Sequence, residues 1–233
     1  MLHYEEYGNR NGKPVVFIHG GFTTSESYRK QYELLPDFHC VYVDLSNHGK
    51  SFYGNSYCFT YDGAAQEVIA LINKLSPEKK VIIVSHSYGG LVTKLLLEKI
   101  PERIEKVVVG STNVKKTPLF WVYTRMAGCF FLWSQNRERY QRENISWKLV
   151  REIQKDAWKN FHISQEPCEQ TIQALLLYAE YDIHPIKQSM HLWQKHLPHS
   201  RIYMLPKADH NYFWNQPEAV NTLLKEFIET ETT

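Results

Sequence analysis

The stretch that most constrains this chain is Val81–Gly90, which reads Val-Ile-Ile-Val-Ser-His-Ser-Tyr-Gly-Gly. Its first four residues are apolar and mostly β-branched, a pattern typical of a strand buried on both faces of a parallel sheet. After this stretch, apolar residues recur at helical spacing up to Ile100. Only a few residues are left to reverse the chain. A turn this tight forces its central residue, Ser87, into a strained conformation and lifts its side chain clear of the sheet.

The turn has the pattern S-x-S-x-G, which differs at its first position from the common motif G-x-S-x-G. Strand and helix nearly collide two residues before and two residues after Ser87, so both positions must be small, and they are Ser85 and Gly89. The stretch resembles the nucleophile elbow of the α/β-hydrolase family. From these residues alone, a strand–turn–helix whose serine only caps the helix is the alternative.

Strand and helix patterns alternate along most of the 233 residues. Further strands are predicted over Leu2–Tyr7, Pro14–Ile18, Cys40–Leu45, Lys106–Gly110, Ala174–Ala179 and Arg201–Leu205, and helices over Ser25–Leu35, Tyr61–Leu75, Pro185–His196 and from Pro217 onward. The first two strands are expected to be joined by the turn 8–12. The alternation predicts a doubly wound, mostly parallel sheet in a single α/β domain over residues 1–233. From the resemblance, the first predicted strand is expected to correspond to the family's second strand, without the family's usual first strand.

Residues 114–169 break this alternation between two consecutive strands. The segment has no strand pattern, is rich in aromatic residues and is too long for a plain crossover helix. The α/β-hydrolase family inserts a helical cap at this position, so the resemblance implies a cap over 114–169, with ordinary core helices as the alternative. The most apolar window, Pro118–Trp133, is short for a membrane span. It is expected to form a lid or a surface that contacts lipid.

Two residues later in the chain have the positions that a serine nucleophile requires. A serine hydroxyl near its ordinary pKa needs a base within hydrogen-bond reach, and the base needs an acid to orient it. In the α/β-hydrolase family the chain order is serine, acid, histidine. Asp182 follows the predicted strand Ala174–Ala179, and His210 follows the predicted strand Arg201–Leu205. The expected catalytic residues are therefore Ser87, Asp182 and His210.

Four other polar residues near these positions are weaker candidates. Asp209 adjoins His210 in sequence and is expected to be a loop or capping residue, because adjacent side chains usually diverge. Glu180 is expected to point away from the site. His86 is expected to be a packed, hydrogen-bonded histidine, and His184 to be exposed on the surface.

Acyl transfer also needs hydrogen-bond donors for the oxyanion. The first is the backbone N–H of Tyr88, at the start of the helix after the elbow. The segment 19–22 reads His-Gly-Gly-Phe and resembles the family's H-G-G oxyanion loop, so Gly21 is the expected second donor and Phe22 the second choice. Glycines that serve only a tight turn are the alternative. Substrate-binding residues are expected to be Phe22, Trp121, Arg125 and Phe130.

The segment 44–51 resembles the family's D-x-x-G-x-G-x-S loop. Asn47 and His48 depart from the commonest form, but asparagine tolerates the left-handed conformation that glycine would adopt. This loop is expected to support the structure without a chemical role.

Composition excludes several other classes of function. The net charge is +2 with dispersed basic residues, which argues against a nucleic-acid partner. The four cysteines lack C-x-x-C spacing and the first residues lack a signal-peptide pattern, so a reduced, cytoplasmic protein is expected. The eleven histidines form no H-x-H or H-E-x-x-H pair, so no metal site is expected. The implied chemistry requires no cofactor.

Together with the resemblance, these residues predict a serine hydrolase with a small-molecule substrate. The aromatic-rich cap favours a small, fairly apolar carboxylic ester, and a serine at the elbow argues against family members that use an aspartate nucleophile. Three alternatives stay open. The same triad could act on a C–C bond or a thioester, or drive an elimination, with Arg125 near an anionic substrate. The chain could be a non-catalytic small-molecule receptor, or it could bind a lipid surface. The oligomeric state is not predicted.

Overall fold

The computed structural model describes residues 1–54, 56–118, 122, 126, 143–164, 166–168 and 171–230. Seven strands in these residues form one sheet: β1 (Tyr4–Gly8), β2 (Pro14–Ile18), β3 (His39–Val43), β4 (Val81–His86), β5 (Ile104–Gly110), β6 (Gln173–Ala179) and β7 (Ser200–Leu205). The α-helices described are α1 (Tyr61–Leu75), α2 (Gly89–Lys99), α3 (Trp147–Asn160), α4 (His184–His196), α5 (Tyr212–Asn215) and α6 (Pro217–Glu229).

The order of the strands is β1-β3-β2-β4-β5-β6-β7. Strand β1 pairs with β3 in antiparallel fashion, and all the other neighbours are parallel. The predicted parallel, doubly wound sheet is therefore confirmed. The turn 8–12 joins β1 and β2 along the chain but does not make them neighbours, because β3 lies between them and pairs with both.

Both faces of the sheet are covered, which explains the unbroken apolar run of β4. Val81 and Ile83 belong to one core cluster, which the helices α1, α2, α3 and α4 complete. Ile82 and Val84 point to the other face, whose cluster contains residues of α5 and α6. All four side chains are fully buried. Successive residues of the strand thus enter opposite cores, as expected for the central strand of a doubly wound sheet.

The predicted helix Ser25–Leu35 is shorter and of another type. Only Ser25–Gln31 is helical, and it is a 3₁₀-helix. The chain beyond it continues in turns, in which the N–H of Leu34 donates to the Gln31 carbonyl and the N–H of Phe38 to the Leu35 carbonyl. These i to i−3 bonds replace the α-helical pattern, since the segment must turn quickly into β3. The short helix α5 has no sequence prediction because four residues show no period.

Within the described part of residues 114–169, helix α3 lies along the chain between β5 and β6. Helix α3 begins after Ser146, whose side chain accepts a hydrogen bond from the Leu149 N–H at 3.2 Å. Its apolar side, which includes Ile153 and Ala157, is buried against the sheet's core. Most of the apolar window Pro118–Trp133 lies outside the described residues. Every helix in the described part of the chain is too short or too polar to span a lipid bilayer.

Candidate active site

Ser87 lies at the junction of β4 and α2 with a φ of 53°, in the left-handed region. This is the strained conformation that the tight turn predicts. A Cβ at Gly89 would lie 2.5 Å from the carbonyl oxygens of both Ile18 and His19, so no larger residue fits there. At the other restricted position, the buried hydroxyl of Ser85 donates to the Val108 carbonyl at 3.1 Å. Serine therefore replaces the usual glycine without leaving a buried polar group unpaired.

The three residues that the sequence selected lie in contact. The Nε2 atom of His210 is 2.9 Å from the Ser87 hydroxyl, and its Nδ1 atom is 2.7 Å from Oδ1 of Asp182. The loops that carry the acid and the histidine are joined by a hydrogen bond from the Tyr181 N–H to the Ala208 carbonyl at 3.0 Å. The carboxylate side chain is only 1% exposed, whereas the imidazole is 37% exposed. A buried carboxylate thus contacts an imidazole that remains partly exposed.

The pKa of Asp182 is below its ordinary value. Burial alone would raise this pKa, but hydrogen bonding and charge attraction from His210, a hydrogen bond from Ser111 and one from the Ala179 N–H together outweigh it. The carboxylate accepts, so Nδ1 of His210 is the donor in that pair, and Nε2 of the neutral ring can accept the proton of Ser87.

Ser111 and Tyr212 were missed by the sequence analysis. The hydroxyl of Ser111 lies 2.5 Å from Oδ2 of Asp182 and 3.3 Å from the phenol oxygen of Tyr212, and all three groups are buried. A lone serine carries no motif. The only available signal was its position just after β5, because polar groups gather at the carboxyl ends of parallel strands.

The loop 19–22 packs directly against the elbow. A Cβ at Gly21 would lie 2.4 Å from Cδ2 of the Tyr88 ring, and Phe22 has a φ of 64°. The buried ring of His19 anchors the loop: its Nδ1–H donates to the Gly20 carbonyl at 2.7 Å, and its Nε2 accepts from the Leu45 N–H at 3.0 Å. Burial lowers the pKa of His19, so the ring stays neutral. The two residues predicted to donate to the oxyanion, Gly21 and Tyr88, therefore lie close to each other, and the loop that carries Gly21 packs against the elbow.

A cavity of about 1050 Å³ opens over these groups. Its apolar lining includes Phe22, Tyr88, Phe161, Ile183, Ile186 and Phe213. The two cationic side chains among the described lining residues are each near a carboxylate. Lys50 is 2.8 Å from Glu5, and Arg29 is 3.8 Å from Glu26. The described lining therefore offers apolar surface and paired charges.

The remaining candidates lie in different surroundings. Of the expected substrate-binding residues, Phe22 lines the cavity, whereas Trp121, Arg125 and Phe130 lie outside the described residues. His184 is exposed and hydrogen-bonded to Gln188.

Glu180 and Asp209 both accept hydrogen bonds from backbone N–H groups. Glu180 accepts from the Lys207 N–H at 2.7 Å, and Asp209 accepts from the Asn211 N–H at 2.8 Å. His86 packs against the catalytic candidate His210, with ring centroids 4.8 Å apart. Its Nε2 has no hydrogen-bond partner among the described residues, so the expected hydrogen-bonded role is only partly met. Burial lowers the pKa of His86 to about 3.

Comparisons with known proteins agree with the fold described above. The family model described as "alpha/beta hydrolase fold" matches residues 13–139, more than half of the chain. The chain belongs to the α/β-hydrolase family. It is an α/β-hydrolase enzyme with the seven-stranded sheet and inserted helical segment found above.

Two curated relatives and two solved structures illustrate its place in the family. A cis-3-alkyl-4-alkyloxetan-2-one decarboxylase of Shewanella oneidensis is 24% identical over 99% of this chain and 86% of its own length. A human serine hydrolase-like protein is 30% identical over 49% of this chain and 54% of its own length.

Among solved structures, the enol-lactonase of Burkholderia xenovorans matches with a TM-score of 0.79 at 17% identity, over 98% of this chain and 96% of its own. A thermophilic esterase of Thermogutta terrifontis matches with a TM-score of 0.76 at 19% identity, over 97% and 92% of the two chains. These two likenesses show the α/β-hydrolase fold.

Proposed function

We propose that this α/β-hydrolase is a serine hydrolase that cleaves a small, fairly apolar carboxylic ester through an acyl-enzyme. The observation that carries the proposal is the continuous contact from the Ser87 hydroxyl to His210 at 2.9 Å and on to Asp182 at 2.7 Å, at the wall of a large cavity. A nucleophile, a base and an orienting acid in this order are the parts that acyl transfer requires.

Each step of the reaction uses a group already in contact. As Oγ of Ser87 attacks the ester carbonyl, its proton passes to Nε2 of His210, and the imidazolium is stabilised by the ionised Asp182. The imidazolium then returns the proton to the leaving alkoxide, which departs as the alcohol. In the second half, His210 takes a proton from water as the water oxygen attacks the acyl carbonyl, and the imidazolium then returns the proton to Oγ of Ser87 as the bond to the acyl group breaks and the carboxylic acid product leaves.

The oxyanion that forms in both halves is assigned to the backbone N–H groups of Tyr88 and Gly21. The close approach of the loop 19–22 to the elbow supports this assignment, as does the position of Tyr88 at the N-terminus of α2, where the helix dipole favours negative charge. One such donor typically contributes about 2.7–4 kcal/mol to transition-state stabilisation.

The lining supports an uncharged substrate. Most of the surface that lines the cavity is apolar, and the cationic groups Arg29 and Lys50 are already near glutamates. Residues 114–169 are proposed to form the cap over this site, because Asn144 and Phe161 from that segment line the cavity. The Phe161 ring lies nearly parallel to the Tyr88 ring with centroids 6.2 Å apart.

A cyclic ester is a second candidate substrate. The relative that aligns over 99% of this chain is named for an oxetan-2-one, which is a four-membered lactone, and a decarboxylation. A lactone carbonyl presents the same electrophile to Ser87 as a linear ester. Elimination on the same triad therefore stays an alternative to hydrolysis, and the reaction products distinguish the two.

The decisive experiment combines covalent labelling with product analysis. A fluorophosphonate probe should modify one residue, Ser87, identified by mass spectrometry of peptides, and Ser87→Ala should neither label nor hydrolyse p-nitrophenyl butyrate. A Ser87→Ala variant as active as the wild type would eliminate the serine mechanism. With a 3,4-dialkyl oxetan-2-one as substrate, a hydroxy acid identifies hydrolysis, whereas carbon dioxide and an alkene identify the elimination.

A further inference from the structure

The turn that follows β5 lies between the elbow and the catalytic acid. The Ser87 N–H donates to the Gly110 carbonyl at 2.7 Å, and the Thr112 hydroxyl donates to the Ser87 carbonyl at 2.9 Å. Between Gly110 and Thr112, the N–H of Ser111 donates to the Leu177 carbonyl of β6 at 2.8 Å. The backbone of this turn is thus fixed to the nucleophile on one side and to the strand that leads to Asp182 on the other.

Ser111 itself has an unusual backbone conformation. Its φ is 44°, in the left-handed region that favours glycine, and it is 1% exposed. Strained conformations of residues other than glycine persist where the surroundings over-determine them, and they cluster at functional sites. Here the conformation directs the hydroxyl toward the carboxylate of Asp182.

The hydrogen-bond donors and acceptors around Ser111 allow only one assignment for the proton of its hydroxyl. Oδ2 of Asp182, at 2.5 Å, can only accept, because the carboxylate is ionised; the single proton of the serine hydroxyl is therefore donated to it. The phenol of Tyr212 must then donate its own proton, either to Ser111 at 3.3 Å or to the Leu177 carbonyl at 3.4 Å. Burial raises the pKa of Tyr212 well above its ordinary value, so the phenol remains protonated and can donate.

We infer that Ser111 is a positioning residue of the active site: its hydroxyl holds Oδ2 of Asp182 so that Oδ1 stays on Nδ1 of His210. The Ala179 N–H, at 2.8 Å from Oδ2, is the second group in this clamp. Without the serine hydroxyl, the carboxylate can rotate about its Cβ–Cγ bond, and the imidazole loses its fixed orientation toward Ser87. Ser111 is assigned a role through the acid, since its hydrogen bonds within the described part of the chain go to Asp182, Tyr212 and Leu177. This inference rests on the proposed function.

Two variants separate the hydroxyl from the backbone. Ser111→Ala removes the hydroxyl and keeps a side chain in the left-handed conformation, whereas Ser111→Gly removes the hydroxyl and relieves the strain. The measurement is the rate at which a fluorophosphonate labels Ser87 as a function of pH. Because labelling requires neutral His210, the rate rises with pH to a plateau. In both variants the plateau should fall by about 10- to 100-fold, the range for one hydrogen bond to a charged group.

The midpoint of the same pH profile tests whether the hydroxyl acts through Asp182. If the carboxylate rotates away from Nδ1, the imidazolium loses part of the stabilisation that it receives from the opposite charge, so the midpoint should move to lower pH. Ser189→Ala is the matched control, because Ser189 is a fully buried serine whose hydrogen bonds go to Asn113, Val114 and Pro185. It should keep the wild-type plateau and midpoint.

Three results would overturn the inference. The first is a plateau labelling rate within about twofold of the wild type in both variants. The second is a lower plateau in Ser111→Ala alone, which would trace the effect to the backbone. The third is a lower plateau in both variants with an unchanged midpoint of the pH profile. Failure of the proposed function is a different result. In that case the wild-type enzyme itself would not label at Ser87.

Discussion

Gly21 lies where the loop after β2 meets the elbow, and its missing side chain lets the two approach. An added Cβ would be 2.4 Å from Cδ2 of Tyr88 and 3.3 Å from two more atoms of that ring. The ring is held between Phe22 and Phe161, so it cannot move aside freely. A side chain at position 21 must therefore displace either the ring or the loop, and both carry a proposed oxyanion donor.

Gly21→Ala should lower kcat/KM for p-nitrophenyl butyrate by about 10- to 100-fold, since misplacement by about 1 Å is enough to cost that much. Gly63→Ala is the control. It lies in the first turn of α1, where a Cβ would lie 2.9 Å from Oγ1 of the Thr60 side chain and 3.8 Å from the Tyr57 hydroxyl, and alanine favours a helix.

A double variant tests the cause of this loss. In a Tyr88→Ala background, where the ring is absent but the backbone N–H remains, Gly21→Ala should cost much less than it does in the wild type. An equal loss of kcat/KM in both backgrounds would show that the ring contact is not responsible.

Some residues of the site could be predicted from the sequence and others could not. Ser87, Asp182 and His210 could be selected because each follows a recognisable strand, in the family's chain order. Asn47 has the left-handed φ of 61° that its place in the loop predicts. Ser111 could not be selected, because its hydroxyl matters only through the side chain that lies opposite it in space.

At the scale of elements, apolar β-branched runs locate the strands well. No end of the seven strands differs from its predicted position by more than two residues. The 3₁₀-helix Ser25–Gln31 was mistaken for a longer α-helix because its composition favours either form. Hydrogen bonds to other segments of the chain favour the 3₁₀ form. The Ser25 N–H donates to Asp44 at 2.9 Å, and the Tyr28 hydroxyl donates to the Ile18 carbonyl at 3.0 Å.

Helix α3 supplies acceptors to the N-terminus of α1. Oδ2 of Asp156 accepts from the Tyr61 N–H at 2.8 Å, and Oε2 of Glu152 accepts from the Phe59 N–H at 3.0 Å. The first N–H groups of a helix have no partner within it, and carboxylates there also complement the helix dipole. The inserted segment is thus fastened to the main domain by hydrogen bonds as well as by apolar packing.

Asp156→Ala should lower the free energy of unfolding by about 1–3 kcal/mol, because it leaves the buried Tyr61 N–H without its acceptor. The measurement is urea denaturation at neutral pH. The control is Asp62→Ala, which removes an exposed carboxylate of α1 paired with Lys99 and should change stability by less than about 1 kcal/mol. Equal losses in the two variants would contradict the fastening role of Asp156.

At the scale of the whole molecule, the alternation of strands and helices predicts a parallel sheet but not the order of its strands. The order depends on which edges pair, and neighbours in sequence such as β1 and β2 need not be neighbours in space. The doubly wound form then determines where the site lies. The loops after β4, β6 and β7 reach the same end of the sheet because these strands are parallel.

Some histidines of the molecule are buried so completely that they stay neutral. His48 is 1% exposed and lies between the rings of His19 and Phe59, with centroids 4.9 and 5.6 Å away. Its Nδ1–H donates to the Ser46 carbonyl at 3.0 Å. Burial, together with the charge that His19 would carry, lowers the pKa of His48 to about 3.

His48 should therefore make the fold sensitive to mild acid. In the unfolded chain a histidine has a pKa of about 6.5, so between pH 6.5 and 3 the unfolded state binds a proton that the folded state excludes. The free energy of unfolding must fall as pH falls through this window, by up to about 1.4 kcal/mol per pH unit for this one residue. His19 and His86, whose pKa values are also lowered by burial, act in the same direction.

His48→Phe keeps an aromatic ring in this space and removes the proton. The slope of unfolding free energy against pH, from urea denaturation between pH 5 and 6.5, should be shallower in this variant than in the wild type by up to about 1.4 kcal/mol per pH unit. Carboxylates contribute equally to both proteins and cancel in the difference. His191→Phe, at an exposed position of α4, should retain the wild-type slope. If His48→Phe also retains it, the acid sensitivity comes from other groups, and residue 48 is not held neutral by the fold.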